Sequence, residues 1–397
     1  KIKSKETTSE SELKITLKCF FGFEQTLGEE LIELGYDKIE FLNRAVRING
    51  SWEDVYFLNL YIRCAISILV EIEHFFIKSE DDLYKKAAGI YWNEIFSANK
   101  TFAIKGAVFS TLFKNTHYPF LVLKDAIVDC FREIQNERPN IDLKKPQVLF
   151  DLYIKENEVT ISVNTSGLPL FQRGYREEVG EAPLNEVVAA SLIRQSGWDR
   201  TTTFMDPFCG SGTILIEAAF LATGIPSNIE RQHYAFKNLN NYDEKLWNEI
   251  YGSAPRIVRS LPCEIIGSDI SDEMILKTRR NLRSMSFGRF VKTSVLPFDQ
   301  VTKTEEKLFI LTNPPYGERM ETDIPELYDT LGTWMKHSMT NSEAWIISSS
   351  EEGLKSIGLK PTKKTKVFNG DLECSFRKFE IYGGSKKAKN EESYSEE

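Results

Sequence analysis

Asn313-Pro314-Pro315-Tyr316 follows directly on the apolar run Leu308-Phe309-Ile310-Leu311, and these four residues hold the chemistry needed to methylate a planar exocyclic amine. The amino group of guanine or adenine is a poor nucleophile because its lone pair is delocalised into the ring. To react, it must be held pyramidal beside an electrophilic methyl group. The Asn313 side-chain oxygen and the Pro314 carbonyl can each accept one N–H, and Pro315 stiffens the turn that aims them. Tyr316 can stack on the base and hold it in line. No general base with a tuned pKa is demanded, because the proton leaves after attack, and positioning supplies most of the rate. The candidate catalytic residues are therefore Asn313, Pro314, Pro315 and Tyr316.

A second motif lies upstream. Thr203-Phe204-Met205 leads into Asp206-Pro207-Phe208-Cys209-Gly210-Ser211-Gly212-Thr213, a glycine turn that opens onto the helical stretch Ile214–Ala219. Gly210 and Gly212 let the backbone approach a ligand closely, and the helix offers N–H groups to a carboxylate. Leu215 stands where a dinucleotide fold would place a third glycine, so the loop is expected to hold a methyl donor instead. The next strand-like run, Cys263–Ser268, ends in Asp269, placed to grip ribose hydroxyls, and Ile270 can cover an adenine ring. Asp299 stands where a third strand would end and can accept from the adenine amine. The expected donor-binding set is Asp206, Phe208, Gly210, Gly212, Thr213, Asp269, Ile270, Asp299 and Asn313.

Each of these residues has a plainer role open to it. Asp269 could cap the helix that begins near Asp272, Asp299 could cap a turn, and Cys209 is expected to pack beside the loop. The four histidines, His74, His117, His233 and His337, are scattered, and none pairs with cysteine or carboxylate at a metal spacing, so no metal is expected.

These motifs need a sheet to carry them. A strand near Ile15–Cys19, a helix carrying Leu27, Leu31 and Leu34, and strands near Ile39–Phe41 and Ala45–Ile48 form a small α/β layer. Strands around Ile66–Ile72, Thr101–Gly106, Val148–Ile154 and Val159–Val163 follow, with an amphipathic helix over Leu121–Ile134. A helix with Ala182-Pro183 in its first turn is expected to end at Gly197. Ile225 to about Ser260 interrupts the rhythm as an inserted helical piece, with Tyr234, Phe236, Leu246 and Trp247 as its own small core. A hairpin from Lys364 to Tyr382, turning at Asn369-Gly370, closes the order.

At 397 residues the chain exceeds one core. Its six cysteines lack CxxC spacing, no apolar run reaches membrane-spanning length, and Lys1–Glu6 is no secretion signal, so a cytoplasmic protein without a membrane partner is expected. Charge gives no gross footprint for nucleic acid: residues 1–165 hold 21 Lys+Arg against 25 Asp+Glu, and the rest 29 against 33. Any RNA binding must rest on local patches, of which Lys360, Lys363, Lys364 and Lys366 form one candidate, while Lys144-Lys145 reads better as a solvated loop.

Several stretches carry a family likeness: Leu168–Arg176, Ala182–Glu186, the glycine loop, and Asn313-Pro314-Pro315-Tyr316-Gly317-Glu318-Arg319, with Cys19–Glu24 and Leu34-Gly35-Tyr36 near the start. On these residues the chain resembles the THUMP-domain class I RNA methyltransferases of UPF0020 type, nearest the bacterial branch that acts on guanine N2 of 23S ribosomal RNA. The resemblance implies an α/β fold: an amino-terminal ferredoxin-like subdomain (13–60), a THUMP RNA-binding domain (61–165), and a Rossmann-like methyltransferase domain (166–384) with a mostly parallel sheet and a terminal antiparallel hairpin. Residues 1–12 and 385–397 are expected to be disordered. It also implies S-adenosyl-L-methionine as cofactor and RNA as partner, ribosomal RNA first and transfer RNA second. Asn-Pro-Pro-Tyr occurs as well in adenine DNA methyltransferases and in enzymes acting on a glutamine amide of release factors. A non-catalytic RNA-binding or assembly protein that kept the fold stays open too.

Overall fold

The computed structural model describes residues 12–176, 184–303, 305–316 and 323–383; both expected disordered ends, except Glu12, and the expected helix start at Ala182-Pro183 lie outside them. The chain separates into two compact units. The first takes Lys1–Cys19, Leu27–Leu170 and Arg231–Ser253, and the second takes Phe20–Thr26, Phe171–Glu230 and Ala254–Glu397.

The first unit is built on one seven-stranded sheet. Its strands are β1 (Leu13–Lys18), β2 (Glu40–Leu42), β3 (Ala45–Gly50), β4 (Ser67–Phe76), β5 (Phe102–Phe109), β6 (Val148–Lys155) and β7 (Glu158–Asn164), in the order β2-β3-β1-β4-β7-β6-β5. Alternation buries Ile15 and Leu17 of β1 on one face. The helices are α1 (Glu24–Glu33), α2 (Trp52–Tyr61), α3 (Glu80–Ala88), α4 (Trp92–Ile95) and α5 (Tyr118–Gln135). A Ser51–Asp54 capping box starts α2. The first residues of β4 pair with β1, and from Leu69 onward β4 pairs with β7. The sheet therefore runs unbroken across the residue 60 boundary expected between the two amino-terminal modules. Sharing β4 spares each half an exposed edge strand.

The second unit holds β8 (Thr203–Asp206), β9 (Ile265–Asp269), β10 (Lys292–Val295), β11 (Leu308–Thr312), β12 (Ser342–Ser348), β13 (Lys363–Asn369) and β14 (Leu372–Ile381), in the order β10-β9-β8-β11-β12-β14-β13. The five strands from β10 to β12 are parallel, and β14 is antiparallel to both neighbours. Its helices are α6 (Glu186–Ser196), α7 (Thr213–Thr223), α9 (Asp272–Leu282), α10 (Ile324–Ser338) and α11 (Glu351–Ser356), while α8 (Glu244–Ser253), between α7 and α9 in the chain, belongs to the first unit. The β11 strand is buried at every position, as a central parallel strand covered on both faces must be. With Trp334 and Met335 of α10 and Phe379 of β14 it forms the core beneath the site.

Three local expectations differ from the structure. The cap of α6 is Asn185, whose Oδ1 accepts from the Val187 and Val188 N–H groups, so a polar side chain rather than a proline turn starts the described helix. The hairpin turns on Gly370-Asp371, one residue later than Asn369-Gly370. Gly370 has φ 64° and Asp371 is not left-handed, the pattern of a turn with glycine at its first central position. The inserted piece shares its core with α2: Tyr56 lies 4.7 Å from Phe236 and also meets Tyr242 and Trp247, while Leu246 is only half-buried. A ten-residue helix has too little apolar face to hold itself, and the flat ring of Tyr56 completes it.

Candidate active site

Parallel strands expose their carboxyl ends at one rim of the sheet, and β8, β9 and β11 deliver Asp206, Asp269 and Asn313 there. From β8 the chain turns through the glycine loop into α7. Gly212 caps that helix at φ 85°, and a Cβ there would stand 2.7 Å from Thr278 Cγ2, so glycine is required by both conformation and space. Gly210 is also left-handed, at φ 51°, but a Cβ on it would meet nothing within 4 Å, so the space above it is open.

The loop is fastened from several sides. Asp269 Oδ2 accepts from the Gly210 N–H at 3.0 Å, and its Oδ1 accepts from the Ser271 N–H at 2.9 Å. Ser271 caps α9, which leaves Asp269 to tie the loop. On α9, Thr278 donates to the Gly210 carbonyl at 2.6 Å and Asn281 to the Ser211 carbonyl at 3.0 Å. Arg176 donates to Glu186, to Ser211 Oγ at 3.3 Å and to Thr213 Oγ1 at 2.8 Å. The segment carrying Arg176 is anchored by Arg173, which pairs with Glu217 of α7 at 3.2 Å; both side chains are fully buried, and Asn228 also accepts from the guanidinium.

Asp206 is completely buried. Burial pushes its carboxyl up to about 7, reinforced by the nearby Asp269 charge and opposed by hydrogen bonds from Thr312 and the Phe208 N–H. Thr312 Oγ1 donates to Asp206 Oδ1 at 2.6 Å, which binds the end of β11 to the end of β8, and Oδ2 has no partner among the described residues. The Phe208 ring packs on Phe298 at 4.8 Å, so this residue meets the loop through its backbone. Burial and the carboxylates of Asp206 and Asp269 raise the Cys209 thiol well above its ordinary range, which suits packing. Ile270 is 73% exposed beside Asp269. The third strand ends at Val295, earlier than expected, and Asp299 sits exposed in the following 3-10 turn.

On the other side of Thr312, Asn313 Oδ1 is shielded from solvent and has no hydrogen-bond partner among the described residues. Tyr316 follows, its phenol raised by burial, with its hydroxyl beside Asn313, Asn369 and Cys374. The terminal hairpin thus reaches the Asn313–Tyr316 segment. Tyr328, buried on α10, donates at 3.4 Å to the Pro315 carbonyl and meets Ser348 at 2.7 Å. Gly317-Glu318-Arg319 lies outside the described residues. The structure therefore brings together Asp206, Gly210, Gly212, Thr213, Asp269 and Asn313, and adds Arg176, Thr278, Asn281, Thr312 and Tyr328. Of the lysines proposed as a patch, Lys366 pairs with Glu373 and Lys363 lies over Trp345. Asp142 accepts from the backbones of Lys144 and Lys145 in a surface turn. Among the described residues no group of three His, Cys, Asp or Glu side chains could hold a metal ion, and no helix is long and apolar enough to cross a membrane.

Comparison with known proteins adds names. Residues 14–69 match the RlmL ferredoxin-like domain, 78–164 the THUMP domain, and 173–378 the RMKL-like methyltransferase domain. Ribosomal RNA large subunit methyltransferase K/L of Shewanella frigidimarina (strain NCIMB 400) is 35% identical over 371 residues, 92% of this chain and 52% of that protein. The same-named protein of Psychromonas ingrahamii is 34% identical over 91% of this chain and 49% of its own length. The chain spans about half the length of the curated relatives it matches. Among solved structures, the SAH complex of SMU.472 superposes with a TM-score of 0.82 at 25% identity, covering 95% of this chain and all of that one. A predicted N6-adenine-specific DNA methylase from Listeria monocytogenes gives 0.82 at 25% identity over 94% and 97%. The chain belongs to the RMKL-like methyltransferase-domain family.

Proposed function

We propose that the chain transfers a methyl group from S-adenosylmethionine to the exocyclic N2 amine of a guanine in RNA, large-subunit ribosomal RNA first and transfer RNA second. One observation carries this reading: a buried amide oxygen, Asn313 Oδ1, has no partner among the described residues and stands at a strand end that is bonded through Thr312 to the glycine-loop strand. A buried acceptor left empty costs about 1–3 kcal/mol, a cost that an incoming N–H removes.

The residues present fit the donor. Each Asp269 oxygen accepts one backbone N–H and keeps a lone pair for a ribose hydroxyl. Ile270 offers an exposed apolar face to the adenine, and Asp299 an exposed carboxylate for its amine. The open space over Gly210 and the start of α7, with the Arg176 guanidinium beside Thr213, suit the amino-acid end. When bound, the donor supplies an electrophilic methyl on sulfur. Asn313 and the Pro314 carbonyl then hold the amine pyramidal, Tyr316 holds the base by stacking, and Tyr328 steadies the loop through Pro315. The proton passes to solvent after attack.

Residues 13–165 are read as the part that recruits RNA, and 166–384 as the part that holds donor and catalytic loop. A cut at 165 would strip Phe236 of Tyr56, so this division is best tested by surface substitutions in the intact chain. Ribosomal RNA as substrate places the reaction in the cytoplasm. Guanine rests on the resemblance to the guanine-N2 branch, and the relatives' names support large-subunit ribosomal RNA as the substrate; the description of the Listeria neighbour keeps adenine N6 as the second reading. Incubation with labelled donor and unmodified ribosomal RNA, followed by digestion to nucleosides, is expected to give N2-methylguanosine. Label only in N6-methyladenosine would establish the second reading, and label only in protein would exclude both.

A further inference from the structure

Whole-chain charge is −8, yet the stretch around α9 runs against it. Arg256 and Arg259 precede β9, Arg279, Arg280 and Arg283 crowd the end of α9, and Arg289 follows. Two cavities open among them, of about 670 and 260 Å³. The larger is lined by Arg279, Arg283 and Arg289 with no acidic residue among its described lining residues. The smaller takes Arg256 and Arg283 with Glu230 as its one described acid. Arg283, Met285 and Ser286 line both, so the two form one groove.

Cations at a helix carboxyl end complement its dipole, and that alone explains one or two of these arginines. It does not explain convergence from three segments. Arg279 is braced across to β10, donating to Thr293 Oγ1 and to the Thr293 carbonyl at 3.0 Å each, and this fixes its fork. Arg283 and Arg289 have no ion pair among the described residues. Ser286 Oγ is shielded and has no hydrogen-bond partner among the described residues, and Ile257 stands 85% exposed at the lip. A fork of donors, an unmet hydroxyl and an exposed apolar side chain suit a phosphate with its sugar.

We propose that this groove binds the sugar–phosphate backbone of the substrate RNA away from the target nucleotide, a proposal that rests on RNA being the substrate. Asp269 lies at the carboxyl end of β9 and α9 runs back from there, so its last turn sits at the opposite end of the strands. Eleven residues of helix separate the two by about 16 Å. Occupancy of the groove therefore leaves the donor site free, and RNA reaching both must bend around the edge strand β10.

The test uses the full chain and an unmodified ribosomal RNA fragment, with binding read by fluorescence anisotropy across salt concentrations. For Arg283→Ala/Arg289→Ala, affinity is expected to fall roughly tenfold and the slope of log affinity against log salt to flatten by about 1.4–1.8, for two lost phosphate contacts. Arg283→Lys/Arg289→Lys should keep most of the slope. Ile257→Glu, a change at an exposed side chain, should weaken RNA in the same direction with donor affinity unchanged. An unchanged slope and affinity in the alanine pair and in Ile257→Glu overturns the proposal, as does tighter binding of anionic phospholipid vesicles than of RNA. Because the readout is binding, these outcomes stand apart from whether wild-type protein forms N2-methylguanosine, on which the reading of function itself depends.

Discussion

The two loops at the rim of the second sheet are built in opposite ways. In the glycine loop, Gly210 donates to Asp269 and accepts from Thr278, Ser211 accepts from Asn281, and Arg176 reaches both Ser211 and Thr213. In the proposed catalytic loop the acceptor assigned to the amine, Asn313 Oδ1, has no partner among the described residues. The first loop is internally bonded before any ligand arrives; in our proposal the second is completed by the substrate itself. In this proposal the Asn313 contact strengthens as the amine turns pyramidal and the methyl transfers, so its gain falls on the transition state, where it raises the rate.

Substitutions can break this contrast, and the largest effect is expected at the unfinished loop. Asn313→Ala should lower kcat about a hundredfold, a loss near 3 kcal/mol, with KM little changed, as rapid-quench methyl transfer would report. An equal rise in KM with kcat intact would mean that Asn313 binds substrate and transition state alike. Asp269→Ala should weaken the donor by roughly 1.5–3 kcal/mol in calorimetry, with turnover at saturating donor much less affected. Unchanged donor affinity would reduce Asp269 to a loop tie.

Asp206 gives a pH signature. Its folded carboxyl titrates near 7 against an ordinary 3.8, so the folded protein keeps a proton that the unfolded chain has released. Stability from this group is full below about pH 4 and is lost as pH rises towards 7. Asp206→Asn should therefore melt above wild type at pH 8, with the gap closing by pH 4–5; a gap of the same size at both pH values would remove the assignment. The smallest effect is expected from Thr312→Val, which cuts the bond between the two strand ends. About 1 kcal/mol of stability should be lost in denaturant titration, and a larger fall in turnover than in stability would show that the tie also aligns Asn313.

Much of this was legible in sequence because period and order are local properties. The strand-like runs before Asp206 and Asn313 and the glycine spacing gave the parallel strands and the site they carry. Residues that hold the site from a distance were harder to read. Thr278 and Asn281 lie one helical turn apart on the buried side of α9, and polar residues on an otherwise sheet-facing stripe were the available signal. Tyr328, likewise, hides among the apolar positions of α10. Arg176 could not be placed because its partners, Glu186 and Thr213, are set by the packing of Arg173 on Glu217. The inserted piece read as self-contained because its partner ring, Tyr56, lies far away in sequence.

The separation of the two loops is tested most directly by the donor affinity of Asn313→Ala, measured by titration calorimetry beside wild type. The account predicts the same dissociation constant within about threefold, ~0.6 kcal/mol, in a variant whose turnover has fallen about a hundredfold. A loss of donor affinity as large as the loss of turnover would contradict it, because the catalytic loop would then be part of the donor surface.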